Sequence, residues 1–315
     1  MSATPPPAIV RPIKVFALEV LYVYGALLKV MVPALLIVKA LDMAGGSEAL
    51  AWALSPIMSL VGLPDALGLV WAATLLSNIY AGLVVFFTLA ADTPITAAQA
   101  TVLGAMMLVA HSLPVEGAVA KAAGVHWRAT LLIRLVGAVT LGGVLNLVYQ
   151  STGWLAHPVD LPWQAPAAAP TLAGWALDQA QTLLWILVII ATLMAVLRLL
   201  RLLGIEKLIH ALLVPALRVI GIRGEAANIT VIGATLGLTF GAGLLLKEVR
   251  SGSLSRRDVF LTLSFLGLCH SLIEDTLLIL LMGADLSGIL WARVLFALIA
   301  IRLLSRLPLR HTASA

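Results

Sequence analysis

The sequence predicts an all-α integral membrane protein of two inverted repeats, each with three spanning helices, a short interfacial helix and a re-entrant helical hairpin. Three observations carry this prediction. The 315-residue chain is 61% hydrophobic and only 11% charged, whereas about a quarter of the residues in a soluble domain are charged. Two related polar segments recur inside apolar sequence. The lysines and arginines lie at the ends of apolar runs, as the positive-inside rule leads one to expect.

The two related segments both read His-Ser-Leu and are followed by an acidic residue. The first is His111-Ser112-Leu113 with Glu116, and the second, 159 residues later, is His270-Ser271-Leu272 with Asp275. The same offset relates Pro56 to Pro215, Gly62 to Gly221, Gly82 to Gly241 and Arg134 to Arg293. This single ungapped register indicates an internal duplication. We expect a first repeat at residues 1–150, a proline-rich extracytoplasmic linker at 151–174 and a second repeat at 175–315.

The apolar runs give the elements in order, because a spanning helix needs about 20 apolar residues. Two further runs, 49–62 and 206–221, are too short to cross and are expected to be interfacial helices. Glycines and polar residues interrupt the runs 66–90 and 226–246. The expected spans are 16–41, 97–120, 129–150, 176–198, 258–282 and 288–304.

Charge decides the predicted topology. The turns 42–48 and 91–96 are acidic and contain no lysine or arginine, whereas the equivalent turns of the second half are rich in both. If 66–90 and 226–246 are both re-entrant hairpins, every loop obeys the positive-inside rule and both termini are cytoplasmic. Three crossings per half then make the halves inverted, an arrangement typical of transporters. Eight full spans are the alternative. The expected location is the cytoplasmic membrane of a bacterium or an archaeon.

Several other classes of protein are set aside. The sequence pI of 9.7 comes from residues spread along the chain rather than from one patch, so nucleic acid is not an expected partner. The single cysteine, Cys269, excludes an intramolecular disulfide and is expected to be a packing residue. The first apolar run is too long for a signal-peptide core and is read as a retained helix. No nucleophile–base arrangement or cofactor motif stands out, so we do not expect an enzyme.

Four ionisable residues are predicted to form two structural ion pairs, Glu116 with Arg134 and Asp275 with Arg293. Each residue lies about nine positions from the tip of its predicted hairpin of spanning helices, or about 13 Å at the helical rise of 1.5 Å per residue. Both pairs would therefore lie near the middle of a hydrocarbon core about 30 Å thick. Pairs at this depth would fix the packing of the helices.

The remaining polar residues are candidates for a solute site. His270 and Glu274 are four positions apart and would share one helix face, and with His111 they could bind a metal or relay a proton. A histidine bonded to a backbone carbonyl, with Glu274 as its partner, is the structural alternative. Ionisable residues inside a membrane are functional candidates by default. The predicted substrate-binding residues are His111, Glu116, His270, Glu274, Asp275, Asn78, Asn228 and Thr230.

The sequence resembles the nucleoside-recognition, or Gate, domain family. The resemblance rests on Phe240-Gly241-Ala242-Gly243, a basic turn, and the segment from His270 to Thr276. That family includes the spore maturation membrane proteins and is similar to the gate region of bacterial ferrous-iron transport protein B, whose Ser-Leu-Leu-Glu-Asp-Ser-like segment resembles Ser271 to Thr276. This chain lacks that protein's GTPase P-loop and its cysteine-bearing gate motif. Concentrative nucleoside transporters share the Gate name and two re-entrant hairpins, and the family name implies nucleosides.

We therefore expect a membrane transporter or permease whose site lies near the midplane between the two His-Ser-Leu segments. The cargo or coupling ion is expected to be a cation, either a divalent metal or a proton, since histidine with carboxylates suits cations. A nucleoside or similar polar solute is one alternative, and a non-transporting assembly or scaffold partner is another. No cofactor is expected beyond such a metal or coupling cation. A homo-oligomer or a partner membrane subunit remains open.

Overall fold

The computed structural model describes residues 10–90, 93–161 and 171–306. These residues fold into fourteen α-helices and one π-helical segment, so the prediction of an all-α membrane protein is confirmed. The first half contains α1 (Val10–Met43), α2 (Gly46–Leu60), α3 (Leu67–Leu76), α4 (Ile79–Ala90), α5 (Ala97–Val109), α6 (Leu113–Ala122) and α7 (Trp127–Thr152). The second half contains α8 (Leu172–Leu202), α9 (Ile205–Ile220), α10 (Glu225–Leu236), α11 (Leu238–Ser251), α12 (Arg256–Leu268), α13 (Glu274–Leu280), the π-helical segment (Ser287–Ala292) and α14 (Arg293–Leu304).

The helix boundaries of the two halves correspond at the offset of the sequence repeat. Both ends of α12 lie 159 residues after the ends of α5, and α2 and α9 begin the same distance apart. Tight turns with positive φ recur at the same offset, for example at Gly62 and Gly221. The same succession of helices and turns is therefore used twice, as the sequence repeat leads one to expect.

Within the described residues, five helical segments are long and apolar enough to cross a membrane. They are Lys14–Leu41, Ala97–Ala122, Trp127–Thr152, Leu172–Leu202 and Ser287–Leu304, and they coincide with five of the six predicted spans. The second of these segments consists of α5 and α6 with the non-helical residues 110–112 between them. The sixth predicted span, 258–282, is built in the same way, from α12 and α13 with the non-helical residues 269–273 between them.

The two glycine-interrupted runs each fold into a pair of short helices. α3 and α4 pack against each other, as do α10 and α11. α3 has 10 residues and α4 has 12, so each reaches about 15 to 18 Å, well short of a hydrocarbon core of about 30 Å. Helix pairs of this length that pack side by side have the dimensions of a helical hairpin.

Burial places α5 and α6 at the centre of the molecule and α1 and α8 at its edge. Inside the most apolar window of the α5–α6 segment, 72% of residues are buried, against 17% in both α1 and α8. α5 packs on α7 and on the π-helical segment, while α7 packs on α12. The two halves therefore interlock through the helices that carry the His-Ser-Leu segments, and the apolar outer faces of α1 and α8 are left for lipid.

Candidate metal centre

The two His-Ser-Leu segments are the points at which the helices are broken. α5 ends at Val109 and α6 begins at Leu113, and between them Ser112 has a left-handed backbone with φ of 48°. In the second half Ser271 takes φ of 49° at the equivalent position. A left-handed conformation in a residue other than glycine costs on the order of 1–3 kcal/mol and is concentrated at functional sites. The same strained turn occurs in both halves, so the two breaks are candidate functional positions.

Pro114 does not kink a continuous helix, because α5 has already ended at Val109. It lies in the first turn of α6, where a proline is tolerated because its missing N–H would have no intrahelical acceptor. The second half breaks at the same place with Ile273 at the corresponding position. The break therefore does not depend on the proline.

Each break is held by the tip of the neighbouring hairpin. The Ser112 N–H donates to the Thr74 carbonyl at 3.0 Å, and the Ser112 hydroxyl donates to the Ser77 carbonyl at 2.8 Å. In the second half the Leu272 N–H donates to the Ala234 carbonyl at 2.7 Å. The backbone groups freed by the helix breaks thus find partners in the interrupted runs, as buried polar groups require. The structure therefore joins each His-Ser-Leu segment to the interrupted run of its own half.

His111 and His270 meet at the centre of this arrangement. Their Nε2 atoms are 3.0 Å apart, and both residues are buried. His111 Nδ1 lies 2.9 Å from the Met107 carbonyl, and His270 Nδ1 lies 2.6 Å from the Leu266 carbonyl. A carbonyl only accepts, so each Nδ1 carries the proton. In a neutral ring with its proton on Nδ1, Nε2 is an acceptor, so two neutral rings in this arrangement need a cation or a proton between their Nε2 atoms.

Two carboxylates adjoin the histidine pair, one from each half. Glu116 Oε1 is 3.2 Å from His111 Nε2 and 3.6 Å from His270 Nε2. Asp275 Oδ2 is 3.9 Å from His111 Nε2. Ligand atoms of His111, His270 and Asp275 all lie within 4.8 Å of one another. The cluster therefore contains one imidazole and one carboxylate from each half, and these are donor groups that a divalent metal can use.

The two predicted ion pairs are not equivalent in the structure. Arg134 Nη1 donates to Glu116, and Arg134 Nε donates to the Val109 carbonyl at 2.8 Å. Arg293 instead donates from Nη2 to the Thr276 hydroxyl at 3.2 Å. No ion pair joins Arg293 to Asp275 among the described residues, so the predicted second pair is not formed in this conformation.

Glu274 is placed differently from the sequence expectation. His270 lies in the non-helical break, and α13 begins at Glu274 itself, so the two residues do not share a helix face. The Tyr80 hydroxyl lies 3.4 Å from a Glu274 carboxylate oxygen. Asp275, one residue further on, is the acidic residue that approaches the histidines. The reasoning from a spacing of four failed because it assumed an unbroken helix.

The remaining predicted site residues are not brought to the cluster. Asn78 Oδ1 accepts from the Ala81 N–H at 2.9 Å at the start of α4. Thr230 donates to the Ala226 carbonyl of its own helix at 2.6 Å. Asn228 is exposed near the start of α10. The side chains of Phe240 to Gly243, which carried part of the family resemblance, lie outside the described part of the structure.

Two residues at the site were not singled out in the sequence. Tyr80 and Thr276 supply hydroxyl groups to Glu274 and Arg293 respectively. Thr276 directly follows the acidic pair of the second segment, and its counterpart in the first segment is Gly117. That difference between the repeats was visible in the alignment and could have indicated that the two halves treat their arginines differently.

Comparison with known proteins supports the membrane assignment. The chain is 28% identical over 276 residues to a protein of Bacillus subtilis named uncharacterized membrane protein YvoD, and the match covers 86% of each chain. No protein-family model matches the chain. No solved structure matches it at a significant level. The protein is thus similar to a bacterial membrane protein, and the Gate resemblance stays a prediction.

Proposed function

We propose that this protein is a membrane transporter or permease for a divalent transition-metal cation, which binds between the two His-Ser-Leu segments. The single observation that carries the proposal is the contact between His111 and His270. The two Nε2 atoms lie 3.0 Å apart, and both Nδ1 atoms are held by carbonyls. Ring nitrogens fixed in this way are typical of metal-ligating histidines, whose second nitrogen is usually hydrogen-bonded to a carbonyl or carboxylate.

The spacing of the donor atoms suits one metal ion. Two nitrogens that are each about 2.0–2.1 Å from a zinc-like ion lie about 3.3 Å apart in tetrahedral geometry and about 2.9 Å apart at right angles. The observed separation of 3.0 Å lies within this range. Imidazole favours transition metals, whereas Mg²⁺ and Ca²⁺ prefer oxygen ligands. Asp275 is the carboxylate placed to complete the set with the two histidines, whereas Glu116 lies 3.2 Å from His111 Nε2 but is bonded to Arg134.

The fold supports movement of the ion rather than simple retention. The site lies where two interrupted helices meet two hairpin tips, and non-helical backbone at such depth is tolerated only when it faces protein or a water-filled path. Under the inverted topology predicted from charge, the halves approach the site from opposite sides of a bacterial cytoplasmic membrane, with both termini cytoplasmic. Alternating access in transporters of this kind comes from one repeat moving against the other.

The contacts favour a cation over a nucleoside. The Asn78 side-chain oxygen accepts from the Ala81 N–H, and the Thr230 hydroxyl bonds to the Ala226 carbonyl and to Thr262 Oγ1, so groups that would bind a polar organic solute already have partners. The histidine pair places two buried ring nitrogens 3.0 Å apart, and both are acceptors when the rings are neutral. A cation satisfies both nitrogens, and a neutral sugar hydroxyl would satisfy one.

The first experiment is metal binding to the purified protein. Thermal unfolding in detergent is followed with Mn²⁺, Fe²⁺, Co²⁺, Zn²⁺, Mg²⁺ and several nucleosides for the native protein, His111→Gln and His270→Gln. A ligand present at a hundredfold excess over its Kd stabilises the folded state by about 2.7 kcal/mol. We expect this shift with a transition metal and its loss in both variants. The control is His126→Gln, because His126 is an exposed histidine outside the cluster.

The second experiment separates transport from scaffolding. The protein is reconstituted into liposomes that contain a metal-sensitive dye, and entry of the metal that binds is measured. Entry that depends on His111 and His270 supports a transporter. Binding without entry would leave a metal-holding scaffold, and a thermal shift with nucleosides alone would contradict the metal proposal.

A further inference from the structure

Arg293 is a buried cation whose hydrogen bonds are incomplete. The residue has no exposed surface. Its Nη2 donates to Thr276 Oγ1 at 3.2 Å, and the Cys269 thiol is a further neighbour of the guanidinium. Its Nε and Nη1 atoms have no hydrogen-bond partner in the described part of the chain. A buried polar group without a partner is costly, so this arrangement requires an explanation.

The first half shows what the missing bonds would be. Arg134 occupies the equivalent position and bonds to the Val109 carbonyl and to Glu116. The equivalents of these two acceptors are the Leu268 carbonyl and Asp275, and Arg293 bonds to neither. The second half therefore has an acceptor at each equivalent position, but Arg293 bonds to neither of them.

Two local differences account for this. The residue after the carboxylate is Gly117 in the first half and Thr276 in the second, so only Arg293 is offered a hydroxyl group. Arg293 also directly follows the π-helical segment Ser287–Ala292, whereas Arg134 lies inside the α-helix α7. A π-helical turn takes in an extra residue and is frequent at functional sites. The helix geometry that leads into the arginine therefore differs between the two halves.

We propose that Arg293 sets the availability of Asp275 as a metal ligand, an inference that rests on the proposed metal site. While Thr276 holds the guanidinium, the Asp275 carboxylate is free to complete the set with His111 and His270. When Arg293 turns from Thr276 to Asp275, in the way that Arg134 bonds to Glu116, the carboxylate is withdrawn and the metal is released. Arg293 is thus a positioning residue and does not itself contact the ion.

The energetics of the two states allow such an exchange. A bond between guanidinium and carboxylate is charge-assisted and stronger than one to a hydroxyl, which favours the turned state when no ion is bound. A bound divalent cation favours the opposite state, because it attracts the carboxylate and repels the guanidinium. The arginine and the metal therefore compete for one carboxylate, and Thr276 is the alternative partner that makes the competition reversible.

The test is Thr276→Val, which keeps the shape of the side chain and removes the acceptor. Affinity for the metal identified in the binding screen is measured by isothermal titration calorimetry in detergent. We expect the affinity to fall by about tenfold or more, the effect commonly seen when a partner outside the ligand set is lost. Thr276→Ser keeps a hydroxyl group and restores binding. Thr88→Val is the matched control, because the Thr88 hydroxyl donates to the Val84 carbonyl within α4, away from the cluster.

A second substitution separates positioning from packing. In Thr276→Val/Arg293→Gln no guanidinium competes for Asp275, so we expect the lost affinity to return. A purely structural role for Thr276 would lower the unfolding temperature without this recovery. Thr276→Ala serves in place of the valine variant if that variant does not fold.

The outcomes distinguish this inference from the proposed function. Native-like metal affinity in Thr276→Val and in Thr276→Ala overturns the role of Arg293 and leaves the metal site in place. A native protein that binds no transition metal overturns the proposed function, and the role of Arg293 with it.

Discussion

Because the two arginine–carboxylate pairs differ, neutralising the two carboxylates should lower the free energy of unfolding by different amounts. Glu116 and Arg134 are both buried and directly bonded. Glu116→Gln keeps the shape and one acceptor oxygen but leaves the Arg134 charge without its counter-ion. Asp275→Asn removes a carboxylate that is not bonded to its arginine and whose nearest described ion-pair contact is 3.9 Å from His111 Nε2.

The magnitudes follow from these contacts. Removing one partner of a buried ion pair typically costs about 3–5 kcal/mol, because the other charge stays buried and uncompensated. We expect about 3 kcal/mol for Glu116→Gln, at the lower end, since the amide oxygen still accepts a hydrogen bond. For Asp275→Asn we expect about 1 kcal/mol, the typical net worth of a hydrogen-bond-scale contact, because a neutral His111 ring offers the carboxylate no opposite charge.

The assay is reversible unfolding by sodium dodecyl sulfate in mixed micelles, followed by circular dichroism in the presence of a metal chelator. Glu116→Gln/Arg134→Met serves as the compensating variant, since replacing a whole buried ion pair by apolar groups is often neutral or stabilising. It should recover most of the loss seen in Glu116→Gln. Equal costs for Glu116→Gln and Asp275→Asn would refute the reasoning, because they would show that the two halves hold their carboxylates in the same way.

Two further predictions concern packing and topology. Gly82→Ala should destabilise the fold by about 1–3 kcal/mol, the usual cost of overpacking, because the added methyl group would collide with the facing side of α3. In Gly143→Ala the added methyl group meets no atom within 4 Å, so this control in α7 should be neutral or slightly stabilising. Both variants are measured in the same unfolding assay. Single cysteines at Ala44 and Thr93, in a cysteine-free background, should react with a membrane-impermeant maleimide from one side of the membrane. A cysteine at Ser253 should react from the other side. Labelling of positions 44 and 93 from opposite sides would show that α3 and α4 together cross the membrane.

The helical succession was predictable because it depends on local properties of the sequence. Apolar length, basic turns and a register of 159 residues are all visible without coordinates. The register also predicted that His111 and His270 hold equivalent positions, and the structure places their rings in contact. Equivalent positions in the sequence stay equivalent in the structure because both halves form the same succession of helices and turns.

The identity of the nearby carboxylate was not predictable in this way. The sequence favoured Glu274 over Asp275 because a spacing of four places two residues on one helix face. The choice was reversed by a left-handed residue, Ser271, which ends the helical periodicity between the histidine and the acids. A strained turn of this kind is stabilised by distant contacts, here with the hairpin tip at Ala234. Local propensity contains no signal for it.

The hydrogen-bond partner of Arg293 was hidden for a related reason. Matching depth predicted a pair with Asp275, and depth was the only coordinate that the sequence supplied. Rotation about the helix axis decides which neighbour a long side chain reaches, and the π-helical segment before Arg293 changes that rotation. A change of helix type within one turn leaves the apolar pattern almost unaltered.

The meeting of the two histidine rings also has a consequence for how such a chain could arise. Each half supplies one imidazole and one carboxylate, so each carries half of the donor atoms and neither encloses an ion alone. A shorter ancestor encoding a single half would have acquired the complete set by pairing two identical chains across a two-fold axis. In such a pair every substitution would alter both sides of the site at once. Joining the copies in one chain allows position 117 to be glycine while position 276 is threonine, and one arginine can then hold its carboxylate while the other does not.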